Sequence, residues 1–402
     1  MGATMRWVRA AFAALGVVFI MAQAAPSPSP VMMHYRAYRA AMEAGDVATA
    51  ETEAAAALEA SVARDGEGGR TGVLALNLAQ VRLQQGRIAE ANAPALQAQR
   101  IAAARADSGV DPLLARLVVG RSALTRGAGR TAGADLSAAL EEARARADLT
   151  DEAYFAAADL GRFYANENLF VSSAESWAIA AALADPNQPE RRVAYAEARL
   201  GEGIARYSEI VRMQDSRRNR PTDTTIGLPT DRYAEADAAF AEAERILAPL
   251  AYVDGGGMNL TPAQSMYSLT RSWRNVLYAF LLSTGQQNIV AGQRYAERAI
   301  AYQIPVQASA PICNFTVNPE PRPNFPTDAQ QRVVVGAVDV RMLLTPDGRV
   351  EDIRVSGAVP QQWFREEVEA VMNRWTVTRA ESSAPNCVFP RVLFYSFSFR
   401  YR

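Results

Sequence analysis

Residues 331–402 carry the pattern that most restricts the fold of this chain. From Val338 apolar side chains recur at every second position, which predicts a strand with one buried face. A Pro-Asp-Gly signal at residues 346–348 predicts a tight turn, because glycine tolerates positive φ and aspartate accepts local backbone hydrogen bonds. A second strand begins at Val350, and its three-residue step to Ile353 predicts a bulge or a strong twist.

After Pro360 the apolar period changes to that of an amphipathic helix, with Phe364, Val368, Val371 and Trp375 on one stripe. Strict alternation returns at residues 392–401 and predicts a third strand. Strand, turn, strand, helix and strand predict a small two-layer β-β-α-β domain whose helix covers one face of the sheet. The predicted core of this domain consists of Val338, Val340, Phe364, Val368, Val371 and Trp375.

Taken in order, these signals resemble the C-terminal domain of the TonB family. The resemblance covers about residues 325–402, and it is carried by the ordered set rather than by any one motif. Its members are Asn324-Phe-Pro326, Gly336-Ala-Val-Asp-Val340, Asp347-Gly-Arg-Val350, Val355-Ser356, Trp363-Phe364, Trp375 and the closing aromatic strand.

Members of the TonB family transmit energy from the inner membrane of Gram-negative bacteria to outer-membrane receptors. The resemblance therefore implies a periplasmic domain that recruits a receptor segment as an added strand, with main-chain hydrogen bonds supplying affinity. We expect protein partners of this kind, either receptor segments or envelope complexes. The expected edge for the partner strand is the last strand, at Val392, Phe394, Ser396, Ser398 and Arg400.

The N-terminus has the pattern of an export signal. Arg6 and Arg9 flank the start of an apolar run at residues 10–22, and Ala-Gln-Ala at residues 22–24 fits a small-x-small cleavage site. An uncleaved anchor that begins at Trp7 is the alternative, and it would be the chain's one contact with a membrane. We expect a periplasmic protein in either case.

Export makes the cysteines interpretable. Cys313 and Cys387 are the only two in the chain, and in an oxidising compartment an even pair predicts a disulfide. Such a bridge would stabilise the fold by roughly 4 kcal/mol in the chain-entropy description. Two buried free thiols are the alternative.

Residues 31–304 have helical character and a weak internal repeat. Gly45 and Gly86 are each followed by alanines five, nine and twelve positions later, which predicts antiparallel helix pairs in close contact. A last copy is expected from Gly285 to Ala299. The repeat resembles the tetratricopeptide family, whose first-helix signature fits Leu160, Gly161 and Tyr164.

Stacked helix pairs form a solenoid with a concave surface, which either binds peptide segments or acts as a spacer. A polar insert at residues 214–229 is expected to be a loop within one long helical hairpin. The fold class is thus an α-helical solenoid followed by a small α+β domain. The expected segments are a signal or anchor at 1–24, a linker at 25–30, helical repeats at 31–304, a proline-rich connector at 305–330 and the TonB-like domain at 331–402.

Composition excludes several classes of function. The net charge of −1 gives no electrostatic reason to expect nucleic acid, and the single histidine, His34, offers no ligand pair for zinc. We therefore expect no enzyme, cofactor or metal. Two alternatives stay open: an energy transducer with an uncleaved anchor, although residues 10–22 lack the histidine of the family's membrane helix, and an envelope hydrolase, which would require His34.

Overall fold

The computed structural model divides the chain into two compact units, Met1–Glu190 and Arg191–Arg402. The sequence instead places the main boundary near residue 304. The difference arises because the last described helix before that point, residues 262–283, packs on the C-terminal strands, and the two helices before it pack on that helix. The proposed export signal lies outside the described residues. The structure describes residues 29–124, 129–218, 230–252, 260–283, 298–302, 310–331 and 334–399.

The first unit consists of helices that pack in consecutive pairs. Each pair also contacts the next one, and helices α3, α5 and α7 contact one another in sequence. The α-helices of this unit are α1 (Pro30–Ala44), α2 (Val47–Asp65), α3 (Gly69–Gln84), α4 (Ile88–Ala104), α5 (Pro112–Ala123), α6 (Gly129–Ala143), α7 (Thr150–Asn166) and α8 (Phe170–Leu183).

Small side chains allow these helices to pack closely. The alanines predicted to lie in the helix contacts are buried, including Ala50 in α2 and Ala91 in α4. Leu160 is also buried, and Gly161 lies against the Trp177 ring, where a β-carbon would come within 2.6 Å of the indole nitrogen. Helix pairing is thus confirmed. The assignment to the tetratricopeptide family stays a prediction.

The second unit begins with three long helices, α9 (Arg192–Arg218), α10 (Thr230–Ala251) and α11 (Pro262–Ser283). Helices α9 and α10 pack against each other, as the predicted hairpin requires. Residues 219–229 of the polar insert lie outside the described residues. Phe240 and Tyr267 are buried in the apolar core that these helices share.

A four-stranded antiparallel sheet follows, with the strand order β1-β6-β3-β4, and β2 and β5 form a separate two-stranded sheet. Helix α13 packs on β3 and β4. The elements are β1 (Arg298–Tyr302), β2 (Phe315–Asn318), α12 (Thr327–Gln331), β3 (Gly336–Leu344), β4 (Val350–Val359), α13 (Gln361–Glu369), β5 (Thr376–Arg379) and β6 (Val392–Phe399).

The predicted strand pattern is confirmed in its details. Val338 and Val340 are fully buried in one apolar core with Phe364 and Val368 of α13. The turn at residues 346–348 forms, with Gly348 at φ 89° and its amide donating to Thr345 O. The β3–β4 register shifts between Leu343, which pairs with Asp352, and Leu344, which pairs with Val350, so the predicted bulge lies at Glu351 near the start of β4.

Three expectations need correction. Ala299 lies in strand β1 rather than in a last repeat helix. Helix α13 ends at Glu369, so Val371 and Trp375 lie beyond it; a 3₁₀ turn redirects the chain there, and the Trp375 indole donates to Pro321 O at 3.0 Å. The connector contributes β2 and α12, and the domain gains β1 and β5.

None of the helices in the described ranges combines the length and apolar character needed to cross a membrane.

Candidate protein-docking site

Helix α11 covers the face of the sheet opposite α13, because it packs on β3, β4 and β6 while the alternate residues of β3 face α13. Beneath α11 runs a row of cross-strand partners, Ser396 on β6, Asp339 on β3 and Gly357 on β4. We call these three residues the polar row. They differ from the apolar residues of the other face, and each meets a polar group of α11.

Asp339 is the centre of the polar row and is completely buried. Its Oδ1 accepts a hydrogen bond from Nε of Arg271, a residue that is 5% exposed, at 3.0 Å. Burial raises the pKa of the Asp339 carboxyl, and the Arg271 guanidinium offsets part of that rise. This buried ion pair fixes α11 on the sheet at one position. If α11 moved along the sheet, each of the two charges would be left buried without its partner.

The ion pair continues into the helices. Glu244 of α10 accepts hydrogen bonds from Arg271 at 3.3 Å and from Arg274 at 2.9 Å. Arg274 also donates to Asp237 at 2.6 Å. At the other end of the polar row, the Asn275 amide donates to the Ser396 hydroxyl. The sheet and helices α10 and α11 are thereby joined by charged side chains as well as by apolar contacts.

Gly357 brings the helix and β4 into direct backbone contact. A β-carbon at this position would lie 2.7 Å from the Ser268 backbone and 2.9 Å from the Ser272 hydroxyl. Only glycine leaves room for this approach. Residues 355–359 of β4, which we call the covered half, are all buried: Gly357 lies against α11, and Val355 and Ala358 lie in the apolar core with Phe364 of α13.

The predicted partner edge on β6 is not an edge. Strand β1 pairs with one side of β6 over five residues, from Arg298↔Phe397 to Tyr302↔Leu393, and β3 pairs with the other side. Val392, Phe394 and Ser396 are buried. Ser398 is half-buried, and Arg400 lies outside the described residues. The chain itself supplies the strand that the prediction assigned to a partner, so that expectation is corrected.

The opposite side of the sheet ends at β4. Among the described residues, no strand pairs with the outer edge of β4. Residues 350–354, which we call the open half, are half-buried or exposed. In an antiparallel pair every second residue directs its backbone N–H and C=O away from its neighbour, so the open half presents unused backbone groups.

The open half borders a groove. A cavity of about 470 Å³ is lined on one side by residues 348–353 and on the other by Asn373, Trp375 and the first residues of β5. A second cavity of about 400 Å³ shares Val377 with the first and extends along the turn to Phe389. We call the two together the β4–β5 groove.

A disulfide stands at the far end of the groove. Cys313 and Cys387 are joined with a Cα–Cα distance of 4.8 Å, and both line the second cavity. The Cys313 amide donates to Val388 O, and the Val388 amide donates to Pro311 O. The bridge therefore ties the segment before β2 to the segment before β6.

The histidine considered for chemistry belongs to the first unit. His34, in the first unit, has its Nδ1 2.7 Å from Glu53 Oε2 on α2. In the part of the chain that the structure describes, no cluster of three or more histidine, cysteine or acidic side chains has the arrangement of a metal site.

Comparisons with known proteins identify the C-terminal region. Residues 321–387 match the family described as Gram-negative bacterial TonB protein C-terminal. The match begins before β3 and ends before β6, so β1 and α11 lie outside it. Residues 321–387 form a TonB-like C-terminal domain.

Two curated relatives agree with this assignment. The chain is 39% identical over 54 residues to Protein TonB of Escherichia coli (strain K12). These 54 residues are 13% of this chain and 23% of that protein. It is 42% identical over 53 residues to Protein TonB of Pseudomonas aeruginosa, 13% of this chain and 16% of the relative. The chain thus spans less than a quarter of the length of either relative. The TonB-like domain is a protein-interaction domain rather than an enzymatic one.

Sequence reasoning missed β1, the polar row and the groove. Asp339 and Glu351 are charged residues within predicted strands, which is a visible signal. That signal alone is typical of a solvent-facing residue. It does not reveal that Asp339 is buried under α11 while Glu351 borders the groove.

Proposed function

We propose that the protein is a periplasmic docking protein whose TonB-like domain takes up an extended segment of a partner protein as an added strand at the open half of β4. The observation that carries the proposal is that the sheet ends there with unpaired backbone. Main-chain hydrogen bonds from such an edge supply affinity for almost any extended segment, and side-chain pockets supply selectivity.

The rest of the sheet offers no comparable position. One face lies under α13, the other lies under α11, and β1 covers the side of β6 that would otherwise be exposed. The outer side of β1 is also unpaired among the described strands, but no residue of β1 lines either of the two cavities. The open half combines unpaired backbone with a groove that can hold the side chains of the added strand.

The periplasm is the compartment that fits the other features of the chain. The export pattern at residues 1–24 would deliver the protein there, and the Cys313–Cys387 disulfide is stable in an oxidising environment. The paired helices of the first unit act as a scaffold or hold a second partner. Envelope proteins, including outer-membrane receptors, are the class of partner that a TonB-like domain suggests.

The proposal is tested with a photo-cross-linking amino acid placed at Glu351 in the open half, in cells of the source bacterium. The matched control carries the same amino acid at Glu366, which is an exposed glutamate on α13 outside the groove. We expect Glu351 to give a discrete cross-linked partner that Glu366 does not give.

Two proline variants then ask whether the partner pairs as a strand. Asp352→Pro and Ile353→Pro, each combined with the cross-linker at Glu351, remove successive backbone N–H groups. One of the two points toward β3 and the other points outward. The variant that keeps the melting temperature has lost only an outward donor, and we expect it to lose the cross-link. A stable proline variant that still captures the partner fully would rule out strand addition at this edge.

A further inference from the structure

The β4–β5 groove has an unpaired strand on each side. Strand β5 pairs with β2 through one edge, and no described strand pairs with its other edge. The open half of β4 and the first residues of β5 line the same cavity. An extended segment in the groove therefore lies between two unpaired edges.

Groove size limits the length of such a segment. From the usual rise and spacings of strands and sheets, an extended residue occupies on the order of 160 Å³. The cavity of about 470 Å³ at the open half therefore holds about three residues. The adjoining cavity of about 400 Å³ extends the path toward the disulfide.

The charges along the groove are unequal. The carboxylates of Glu351 and Asp352 are each paired with an arginine of the same domain, Arg391 and Arg354 respectively. Arg349 lines the first cavity and is exposed, with no carboxylate of the described chain within ion-pair distance.

A second arginine adds to this excess. Arg379 lines the second cavity and is exposed; it has no described carboxylate partner, and one of its guanidinium nitrogens donates to the backbone oxygens of Ser383 and Ala384. Asp347 lines the second cavity, and its carboxylate, which accepts a hydrogen bond from Thr345 and is attracted by Arg349, offsets part of this positive charge. Two arginines without an ion-pair partner against one such carboxylate leave the described lining of the groove with a small excess of positive charge.

We propose that the β4–β5 groove selects an extended acidic segment, with its backbone on the open half of β4 and its carboxylates toward Arg349 and Arg379. This inference rests on the proposed docking function and names the partner chemistry. Exposed ion pairs contribute modestly to affinity, but they select against segments of the wrong charge and orient the segment in the groove.

The test measures binding of fluorescent eight-residue peptides to the full-length chain by anisotropy. One peptide alternates Glu and Val, a second alternates Arg and Val, and a third is the acidic peptide with alternate backbone nitrogens methylated. The chain variants are Arg349→Glu and Arg379→Glu, together and singly. The matched control is Arg365→Glu on α13, because Arg365 pairs with Glu369 away from the groove.

We expect the acidic peptide to bind more tightly than the basic one, and the double variant to weaken the acidic peptide roughly tenfold. Arg365→Glu should leave binding unchanged. Equal binding of acidic and basic peptides, or no effect of the double variant, would overturn the acidic selectivity. Undiminished binding of the methylated peptide would instead overturn strand addition, so the two ideas fail separately. Thermal melts of each variant exclude loss of folding as the cause.

Discussion

The covered half and the open half of β4 belong to one strand but have opposite surroundings. In the covered half, small residues such as Gly357 let the backbone of α11 come close, and every side chain is buried. The open half carries Glu351 and Asp352, each in an ion pair at the surface, and its outer edge borders a groove. A strand becomes a docking edge only where nothing of its own chain covers it.

The proposed docking edge on β4 differs from the one that the sequence predicts on β6. On β6 the chain supplies β1 as a neighbour, so the edge implied by family resemblance is filled from within. On β4 the helix α11 contacts the backbone at Gly357, in the covered half. The arrangement leaves a short stretch of unpaired backbone, and it is fixed by the Arg271–Asp339 ion pair beneath the helix.

Removal of the buried Asp339 carboxylate should have the largest effect on the stability of the second unit. Asp339→Ala leaves the Arg271 guanidinium buried without its partner on the sheet, and we expect the second unit to lose about 3–5 kcal/mol of unfolding free energy. The matched change in the open half, Asp352→Ala, removes an exposed pair and should cost no more than about 1 kcal/mol. Urea unfolding measures both, and equal losses would contradict the contrast between the halves.

Loss of the disulfide should have a comparable effect. The bridge closes a loop with a sequence separation of 74, so Cys313→Ser with Cys387→Ser should lower the unfolding free energy by about 4 kcal/mol. Reductant should destabilise the natural chain and leave the double variant unchanged. If unfolding of the natural chain is the same with and without reductant, the bridge does not contribute to stability.

A smaller effect is expected at the contact between β4 and α11. Gly357→Ala places a methyl group against the Ser268 backbone, which cannot rotate away, and we expect a loss of roughly 1–3 kcal/mol. Glu351→Ala, in the open half, should change stability by about 0.5 kcal/mol or less. If Gly357→Ala and Glu351→Ala had the same unfolding free energy, the close contact between α11 and the covered half would be contradicted.

The pH dependence should also separate a buried carboxyl from an exposed one. Because the folded-state pKa of Asp339 is raised, the folded chain holds this proton more tightly than the unfolded chain does. The natural chain should therefore lose stability relative to Asp339→Asn as pH rises from about 4, the usual aspartate value, through the raised pKa.

The control for this experiment is Asp347→Asn in the turn at the groove. The hydrogen bond from Thr345 lowers the pKa of Asp347, so its contribution is present above the usual aspartate pKa and is lost as pH falls. Relative to Asp347→Asn the natural chain should gain stability as pH rises, opposite in sign to Asp339→Asn. Slopes of the same sign would contradict the assigned environments.

The sequence predicts what depends on local pattern. The alternation at Val338, the turn at residues 346–348 and the bulge after Val350 all follow from residue types and spacing. The Arg271–Asp339 pair does not, because its partners are 68 residues apart and no local signal joins them. Strand β1 was missed for a related reason: its alanines favour helix, and pairing with β6 overrides that preference.

The most direct test of the central claim is hydrogen exchange of the full-length chain, free and with the acidic peptide. In the free chain, amides at residues 350–354 should exchange faster than those at residues 355–359. Only every second amide in residues 350–354 is hydrogen-bonded to β3, and these residues are more exposed to solvent. The peptide should slow exchange at residues 350–354 and in β5. Slowing confined to β1 and β6, or no difference between the two halves of β4 in the free chain, would contradict docking at the open half.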